Sequence, residues 1–389
     1  MHKDKFVFSQ LIVFLDRNKF NYIVRKHDGD KYVKHFTCWN QLLSLMFGQL
    51  SNRESLRDLI VALDAHHSKC YHLGMGRNVS RSSLARANQD RDYHIFEEYA
   101  YYLVNEARQK RVTDIFKLGG NVYVYAFDST TIDLCLSVFW WAKFRKKKGG
   151  IKVHTLYDVE TQIPAFFHIT EASVHDSKVM NEIPYESGSY YIFDRAYNNF
   201  KMLYRIHQIG AYFVVRAKKN LQYKPIKWKR RMPKNVLSDM AIGVTGFYPK
   251  QYYPEPLRLV RYWDEEQNRE FVFLTNATHI SPLQVAELYK NRWQVELFFK
   301  WLKQHLNIKK FWGTTENAVR IQIYAAICTY CLVAIVQHDM QLDRSTYEVL
   351  QILSISLTDK TPLRDLFDKT KFQNDKERFG LDGPTLFDF

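Results

Sequence analysis

Three carboxylates, Asp128, Asp194 and Glu296, carry the residue types and settings that hold divalent metal. Asp128 follows the apolar run Asn121-Val-Tyr-Val-Tyr-Ala-Phe127, and Asp194 follows Tyr190-Tyr-Ile-Phe193. Both runs read as buried strands, and functional side chains gather at strand ends in open sheets. Two adjacent strands ending in aspartate, with the Glu296 helix against them, bring three carboxylates together. Such a cluster repels itself, and divalent metal is the usual remedy. Oxygen-only ligands favour magnesium or manganese, and two such ions about 4 Å apart suit phosphodiester chemistry. The ordinary alternative is that Asp128 caps a turn and Asp194 caps the following helix. Asp133, Asp158 and Asp176 also read as strand-end or capping residues, and Lys152 and His154, on the third strand, can face the site but are not assigned to it.

The glutamate sits in the run Tyr289-Lys-Asn-Arg292-Trp-Gln-Val-Glu296-Leu-Phe-Phe-Lys300-Trp-Leu-Lys303. On one continuous helix, Tyr289, Arg292, Glu296 and Lys303 fall within an arc of about 60° and make a stripe about 20 Å long. Leu288, Trp293, Val295, Leu297, Phe298, Phe299, Trp301 and Leu302 crowd the rest of the circumference. A helix so apolar belongs inside a protein, where a charged stripe must meet a partner. Ser281, Pro282 and Gln284 write its start as a capping box. Glu296 paired with Arg292 and Lys300 on a simple salt-bridged face is the plainer reading.

The elements that position these residues follow from composition. The chain has 389 residues, 46% apolar, with room for two or three domains. Its net charge of +15 favours a polyanionic partner, nucleic acid before anionic membrane. No apolar run of spanning length is expected. The stretch from Ile323 to Val336 reads as a core helix, and Ser9, Gln10 and Asp16 interrupt the N-terminal apolar stretch, so the expected location is the cytoplasm. Five cysteines give no disulfide framework, and Cys328 and Cys331 lie in the apolar helix without a second pair for zinc. ATP-binding and zinc-protease motifs are absent.

Residues 1–115 read as an all-α N-terminal domain. It includes a helix from Trp39 to Leu50, a capping box at Ser51-Asn-Arg-Glu54, and a short basic helix after Ser80. Arg81, Ser82, Ser83, Arg86 and Asn88 on that helix give it the look of a groove-reading element; a polar face meeting water is the alternative. Composition changes after Gly119-Gly120. Residues 116–218 alternate strands and helices, with strands expected at Ile132–Phe139 and Ile151–Val159 and a turn at Lys146-Lys-Lys-Gly-Gly150. Residues 219–270 form a β-rich insertion with the basic run Lys227–Arg231, residues 271–340 return to the core, and 341–389 are a helical tail with Gly-Leu-Asp-Gly-Pro near its end. Lys143, Arg145 to Lys148 and Lys227 to Arg231 suit sequence-independent phosphate contact.

Phe-Asp128-Ser-Thr, Phe-Asp194-Arg-Ala-Tyr and the Tyr289/Arg292/Glu296/Lys303 spacing together resemble the DDE transposases of the Insertion Sequence 4 family. The likeness spans about residues 120–335, and the helical region with Asn52–Asp58 and Leu84–Asn88 resembles the domain that often precedes such a core. The resemblance implies an α/β fold: a ribonuclease-H-like catalytic core with a β-rich insertion. It implies cut-and-paste chemistry with Mg²⁺ (Mn²⁺ as substitute) on Asp128, Asp194 and Glu296. Tyr289, Arg292 and Lys303 hold phosphates, with Lys300 beside them, and Trp263 and Trp228 are candidates to stack on a flipped base. The expected partners are double-stranded DNA, namely terminal inverted repeats and target, and a second copy in a homodimer, with no membrane. A DNA-binding protein with decayed catalysis and a metal-dependent nuclease without strand transfer are the rival readings.

Overall fold

The computed structural model describes residues 5–77, 79–111, 118, 122–145, 148–305 and 311–368. The Gly119-Gly120 boundary, the Lys146-Lys147 turn, the glycine-rich stretch near residue 380 and the side chains of 143–148 lie outside the described residues. Two compact units divide the chain: Met1–Lys110 with Gln304–Phe389, and Arg111–Lys303.

The first unit is helical. Thr37 caps the Cys38–Leu50 helix and Ser80 caps Arg81–Asp90, each by accepting a backbone N–H three residues on. The cap expected at Ser51 is instead Ser55, which opens Leu56–Ala65 with its side chain on the Asp58 N–H. Ser51 is buried and its hydroxyl donates back to the Phe47 carbonyl, so it ends the preceding helix. Arg81 and Arg86 are exposed. Asn88, expected on the same polar face, is turned into the core, where its side chain accepts from Gln41 Nε2 at 2.7 Å. The helix Glu316–Asp339 packs against His94–Lys110 and Cys38–Leu50. It is longer than the 14-residue apolar stretch expected, and long and apolar enough to cross a membrane, yet its apolar window is almost wholly buried in the unit. That packing groups it with the N-terminal helices, whereas the sequence reading ran the core on to residue 340. Cys328 and Cys331 are buried thiols of this helix.

The second unit is built on one mixed sheet. Its strands are β1 (Val124–Leu134), β2 (Lys143–Arg145), β3 (Lys148–Asp158), β4 (Ile163–Glu171), β5 (Tyr190–Phe193), β6 (Tyr212–Arg216), β7 (Tyr223–Trp228), β8 (Val236–Val244), β9 (Leu257–Asp264) and β10 (Arg269–Thr275). They run in the order β2-β3-β1-β5-β6-β10-β9-β8-β7, with β4 on β3. The pairs β1/β5 and β5/β6 are parallel and the others antiparallel. Val124–Phe127 and Tyr190–Phe193 are buried throughout, as central parallel strands covered on both faces must be. Phe127, Phe193, Tyr191 and Phe213 anchor the core beneath them.

Two expected element boundaries are corrected. β1 does not stop at Phe127. It runs on through Asp128 to Leu134, because Thr130, Thr131 and Ile132 are β-branched and stay paired to β3 across Asp128↔Thr155 and Ile132↔Ile151. The strand expected at Ile132–Phe139 is therefore the second half of β1. The signature helix is likewise two helices, Pro282–Lys290 and Trp293–His305. Asn291 breaks it: its side-chain amide takes the Glu287 carbonyl at 2.9 Å and its Oδ1 accepts from Gln294 Nε2 at 2.8 Å, the local competition that makes asparagine a helix breaker. The capping box at Ser281 with Gln284 forms as the sequence implies.

Candidate active site

Phe127 and Phe193 are register partners in the parallel pair β1/β5, so Asp128 and Asp194 are the next residues on adjacent strands. The pairing with β5 ends there and opens space for both carboxylates. Asp194 precedes the 3-10 turn Arg195–Tyr197 but gives it no capping bond, so the capping alternative fails. Its Oδ1 instead accepts the Tyr289 hydroxyl at 3.1 Å. Tyr289 is held by packing on Phe273, ring centroids 4.7 Å apart. Burial and the neighbouring Asp194 charge push this phenol up to about 12, so it stays protonated and donates.

Arg292 sits in the turn between the two signature helices. One guanidinium nitrogen donates to Asp128 Oδ2 at 3.0 Å, and another donates to Glu296 Oε1. Asp128 Oδ1 takes the Ser129 N–H at 2.8 Å and the Tyr197 hydroxyl at 3.4 Å. Burial raises the Asp128 pKa above the usual carboxylate range. The Ser129 N–H and Arg292 work against that rise, and the Glu296 and Asp194 charges add to it. The three acids thus share one electrostatic environment, with a single guanidinium joining two of them.

Beside them opens a cleft of about 840 Å³, lined by Asp194, Tyr289, Arg292 and Glu296 together with Arg216 and Trp293. The Arg216 and Arg269 guanidiniums each stand over the Phe271 ring, at 4.9 and 4.3 Å from its centroid. Lys303 binds the backbone of β1. Its ammonium donates to the Thr131 carbonyl of β1 at 3.0 Å, three residues beyond Asp128. Lys300 is exposed on the same helix. Neither Trp228, on the exposed edge strand β7, nor Trp263, on β9, lines the cleft. Within the basic run, Lys229 is taken up by Asp239 at 2.8 Å.

Among the described residues no three His, Cys, Asp or Glu side chains stand close enough to hold an ion. The donors nevertheless suit one: they are carboxylate oxygens only, Asp128 in the middle of β1, Asp194 just past the end of β5 and Glu296 on a helix, and a cation already bridges Asp128 and Glu296 in the form of Arg292.

Residues 122–332, more than half of the chain, match the family model described as the transposase DDE domain. The chain belongs to this family. Its function is DNA transposition, and proteins with this domain generally use divalent metal ions. The transposase is 31% identical over 288 residues to a Sinorhizobium fredii protein named as transposase y4zB, covering 73% of this chain and 78% of that one. It is also 31% identical over 205 residues to a protein named as a transposase for insertion sequence element IS5377 of Geobacillus stearothermophilus, with 53% and 54% of the two chains covered. A solved piggyBac transposase synaptic complex with hairpin DNA aligns over 97% of this chain and 85% of that one, at a TM-score of 0.48 and 12% identity. Residues 3–76 match a domain of unknown function.

Two groups in the transposase's second unit went unread in the sequence. Asp176, taken for a capping residue, starts the Asp176–Val179 helix, but His175 is its cap and the aspartate turns to Ser129 and Lys152. Asp239 and Arg258 form a buried pair inside the insertion. Nothing local in sequence marks either, because both partners come from separate strands or turns. Asp158 does have its ordinary role: its Oδ1 accepts the N–H groups of Glu160 and Thr161 in a tight turn.

Proposed function

We propose that this chain is a cut-and-paste transposase whose catalytic carboxylates are Asp128, Asp194 and Glu296. The observation that carries the reading is that Arg292 joins Asp128 to Glu296, Asp194 and Glu296 both act electrostatically on Asp128, and Tyr289 fixes Asp194. The mixed sheet, in which antiparallel β1, β3 and β4 adjoin parallel β1, β5 and β6, supports a ribonuclease-H-like core. That core draws on residues 116–218 and the segment from 271 through the Lys303 helix. Residues 219–270 are its β-rich insertion, residues 1–115 bind DNA, and 341–389 are a helical tail.

In this reading the three acids bind Mg²⁺ or Mn²⁺, two ions in all, which when bound supply Lewis-acid charge to the phosphodiester. Water attacks the phosphorus at the element's end and the P–O3′ bond breaks, leaving a 3′-hydroxyl. That hydroxyl attacks the phosphodiester of the opposite strand, displacing the 3′-hydroxyl of the flanking DNA and closing a hairpin; water then cleaves the hairpin phosphodiester, regenerating the 3′-hydroxyl, which displaces a target 3′-hydroxyl in strand transfer. The chain's own residues orient the reactants. Tyr289 keeps Asp194 in one rotamer, and Arg292 supplies positive charge beside Asp128 and Glu296. Arg292 lines the cleft and offers donors for phosphate oxygens, and Lys300 and Lys303, on the helix that follows, add positive charge for the DNA backbone. Trp228 or Trp263 stacks on an extruded base, and Arg81 and Arg86 contact the DNA of the terminal repeat. Two copies hold two element ends as a homodimer in the cytoplasm.

The test incubates the protein with duplexes carrying the terminal repeats that flank its gene, with Mg²⁺, and resolves the products on a denaturing gel. Hairpin ends and joined strands that vanish in Glu296→Ala are the expected result. Lys303→Ala should lower cleavage by about tenfold, a smaller loss than that of any acid. Binding without cleavage indicates a DNA-binding protein with decayed catalysis, and nicks without joining a nuclease. Either outcome overturns the proposal.

A further inference from the structure

Ser129, the residue after Asp128, is fixed at both ends. Its N–H donates to Asp128 Oδ1 at 2.8 Å and its hydroxyl donates to Asp176 Oδ1 at 2.9 Å. The same Asp176 oxygen receives the Lys152 ammonium at 3.0 Å, and Lys152 also donates to the Val174 carbonyl at 2.8 Å. Lys152 is set by the sheet, as the cross-strand partner of Thr131, two residues along β1 from Ser129. One carboxylate therefore ties together β1, β3 and the turn that leads into its own short helix.

The neighbouring histidine is neutral. His154 Nε2 lies 3.0 Å from the Thr170 hydroxyl, which itself donates to the Glu171 carbonyl, so Nε2 carries the proton and Nδ1 does not. That Nδ1 is buried without a partner, 3.8 Å from Asp176. Burial pushes His154 down to about 4. Lys152 is accordingly the cation that balances Asp176 at neutral pH.

We propose that Asp176 is a positioning residue for Asp128, acting through the Ser129 hydroxyl, with Lys152 holding Asp176 in place. A carboxylate in mid-strand points according to its strand's local twist and its own χ1. Pinning the next residue from the far side limits both. Ligand-orienting partners of this kind typically change metal affinity or activity by about 10–100-fold when removed. The inference rests on Asp128 being a metal ligand, so its test must separate the two claims.

Full-length protein bound to a terminal-repeat duplex is titrated with Mn²⁺, and free ion is followed by electron paramagnetic resonance. Asp176→Ala should raise the half-saturating Mn²⁺ concentration about 10–100-fold. Ser129→Ala, which changes no charge, should move it the same way by less. Asp176→Asn should recover part of the loss, because its amide oxygen still accepts the Ser129 hydroxyl. Asp128→Ala is the reference: if that variant binds Mn²⁺ like the native protein, the ligand assignment fails. If Asp128→Ala loses the ion while Asp176→Ala and Ser129→Ala titrate like the native protein, the positioning role is overturned. A lowered melting temperature with an unmoved titration overturns it equally. Should Asp176→Ala fail to fold, Ser129→Ala decides.

Discussion

Two aspartate–arginine pairs in the second unit teach opposite lessons. Asp239 and Arg258 meet fork to fork, at 2.7 and 2.8 Å, with side chains only 2% and 5% exposed. The remaining Arg258 nitrogen donates to the carbonyls of Ala277 and Ile280, at 2.9 and 2.7 Å, in the segment that leads into the Pro282–Lys290 helix. Every group of this pair is satisfied within the protein. Asp128 and Arg292 share one contact of 3.0 Å, and Arg292 spends its other arm on Glu296, whose side chain is 54% exposed. A closed pair leaves no valence for anything else and serves as a strut. An open pair keeps carboxylate oxygens and a guanidinium face available, as a site for metal and phosphate requires.

The largest separation between the two comes from deleting the acid of each. At the open pair, Asp128→Ala, and likewise Asp194→Ala or Glu296→Ala, should cut strand cleavage by about 1,000-fold or more. That is the scale of several kcal/mol of lost charge stabilisation. Binding to the terminal repeat in a mobility-shift assay should hardly change, and neither should the melting profile of Asp128→Ala, because Arg292 keeps Glu296. Cleavage retained in one of the three removes that acid from the site.

At the closed pair the ranking inverts. Asp239→Ala strands a buried guanidinium and should destabilise the protein by about 3–5 kcal/mol, read as a lowered urea midpoint. Replacing both partners by apolar residues of similar volume, Asp239→Leu with Arg258→Met, should recover most of that loss. A double variant as unstable as the single one means that the bonds to Ala277 and Ile280, and not the ion pair, hold the strut.

Acid sharpens the same contrast. Burial works to raise the Asp239 carboxyl, but hydrogen bonds from Arg258 and Lys229 outweigh it and hold the group below its ordinary value of 3.8. A carboxyl depressed in the folded state contributes stability that is fully present above the unfolded pKa and is lost as pH falls through the folded one. Native protein should therefore lose stability below about pH 4, and the Asp239→Leu/Arg258→Met variant should lose less over that window. Urea midpoints measured at pH 5 and pH 3 check the slope. Equal slopes mean that acid unfolding is governed by other carboxylates.

These contrasts mark how much could be read before the structure. That Asp128, Asp194 and Glu296 lie close enough to act on one another was legible because each has a local signature: an apolar run before Asp128 and Asp194, a spaced polar stripe around Glu296. The cap at Ser281 and the strand Tyr190–Phe193 were legible for the same reason. Asn88 was not, since an asparagine on a basic helix gives no sign that Gln41 waits 47 positions earlier. The strut was hidden likewise, its residues 19 apart on different strands. Even where residues were read well, geometry was not. The single continuous helix drawn through Tyr289 and Lys303 ignores what Asn291 does to its backbone, and the break changes the function of each member. Tyr289 ends one helix facing Asp194, Arg292 occupies the turn, and Lys303 braces β1 from the second helix.

The finest test falls on that break. Tyr289→Phe keeps the ring against Phe273 and Phe271, so packing and the capped helix should survive. Only the hydroxyl that donates to Asp194 is removed. With its phenol pushed up to about 12, Tyr289 donates unchanged at neutral pH, and the loss should be the same from pH 6 to pH 9. On the proposed reading of Asp194 as a metal ligand, freeing one of its oxygens should cost about tenfold in cleavage at limiting metal. Raising Mg²⁺ should restore much of it, since the acid is still present and only its aim is lost. A defect that ignores metal concentration points instead to a direct hydrogen bond from Tyr289 to the DNA phosphate, which would move this residue from holding the acid to holding the substrate.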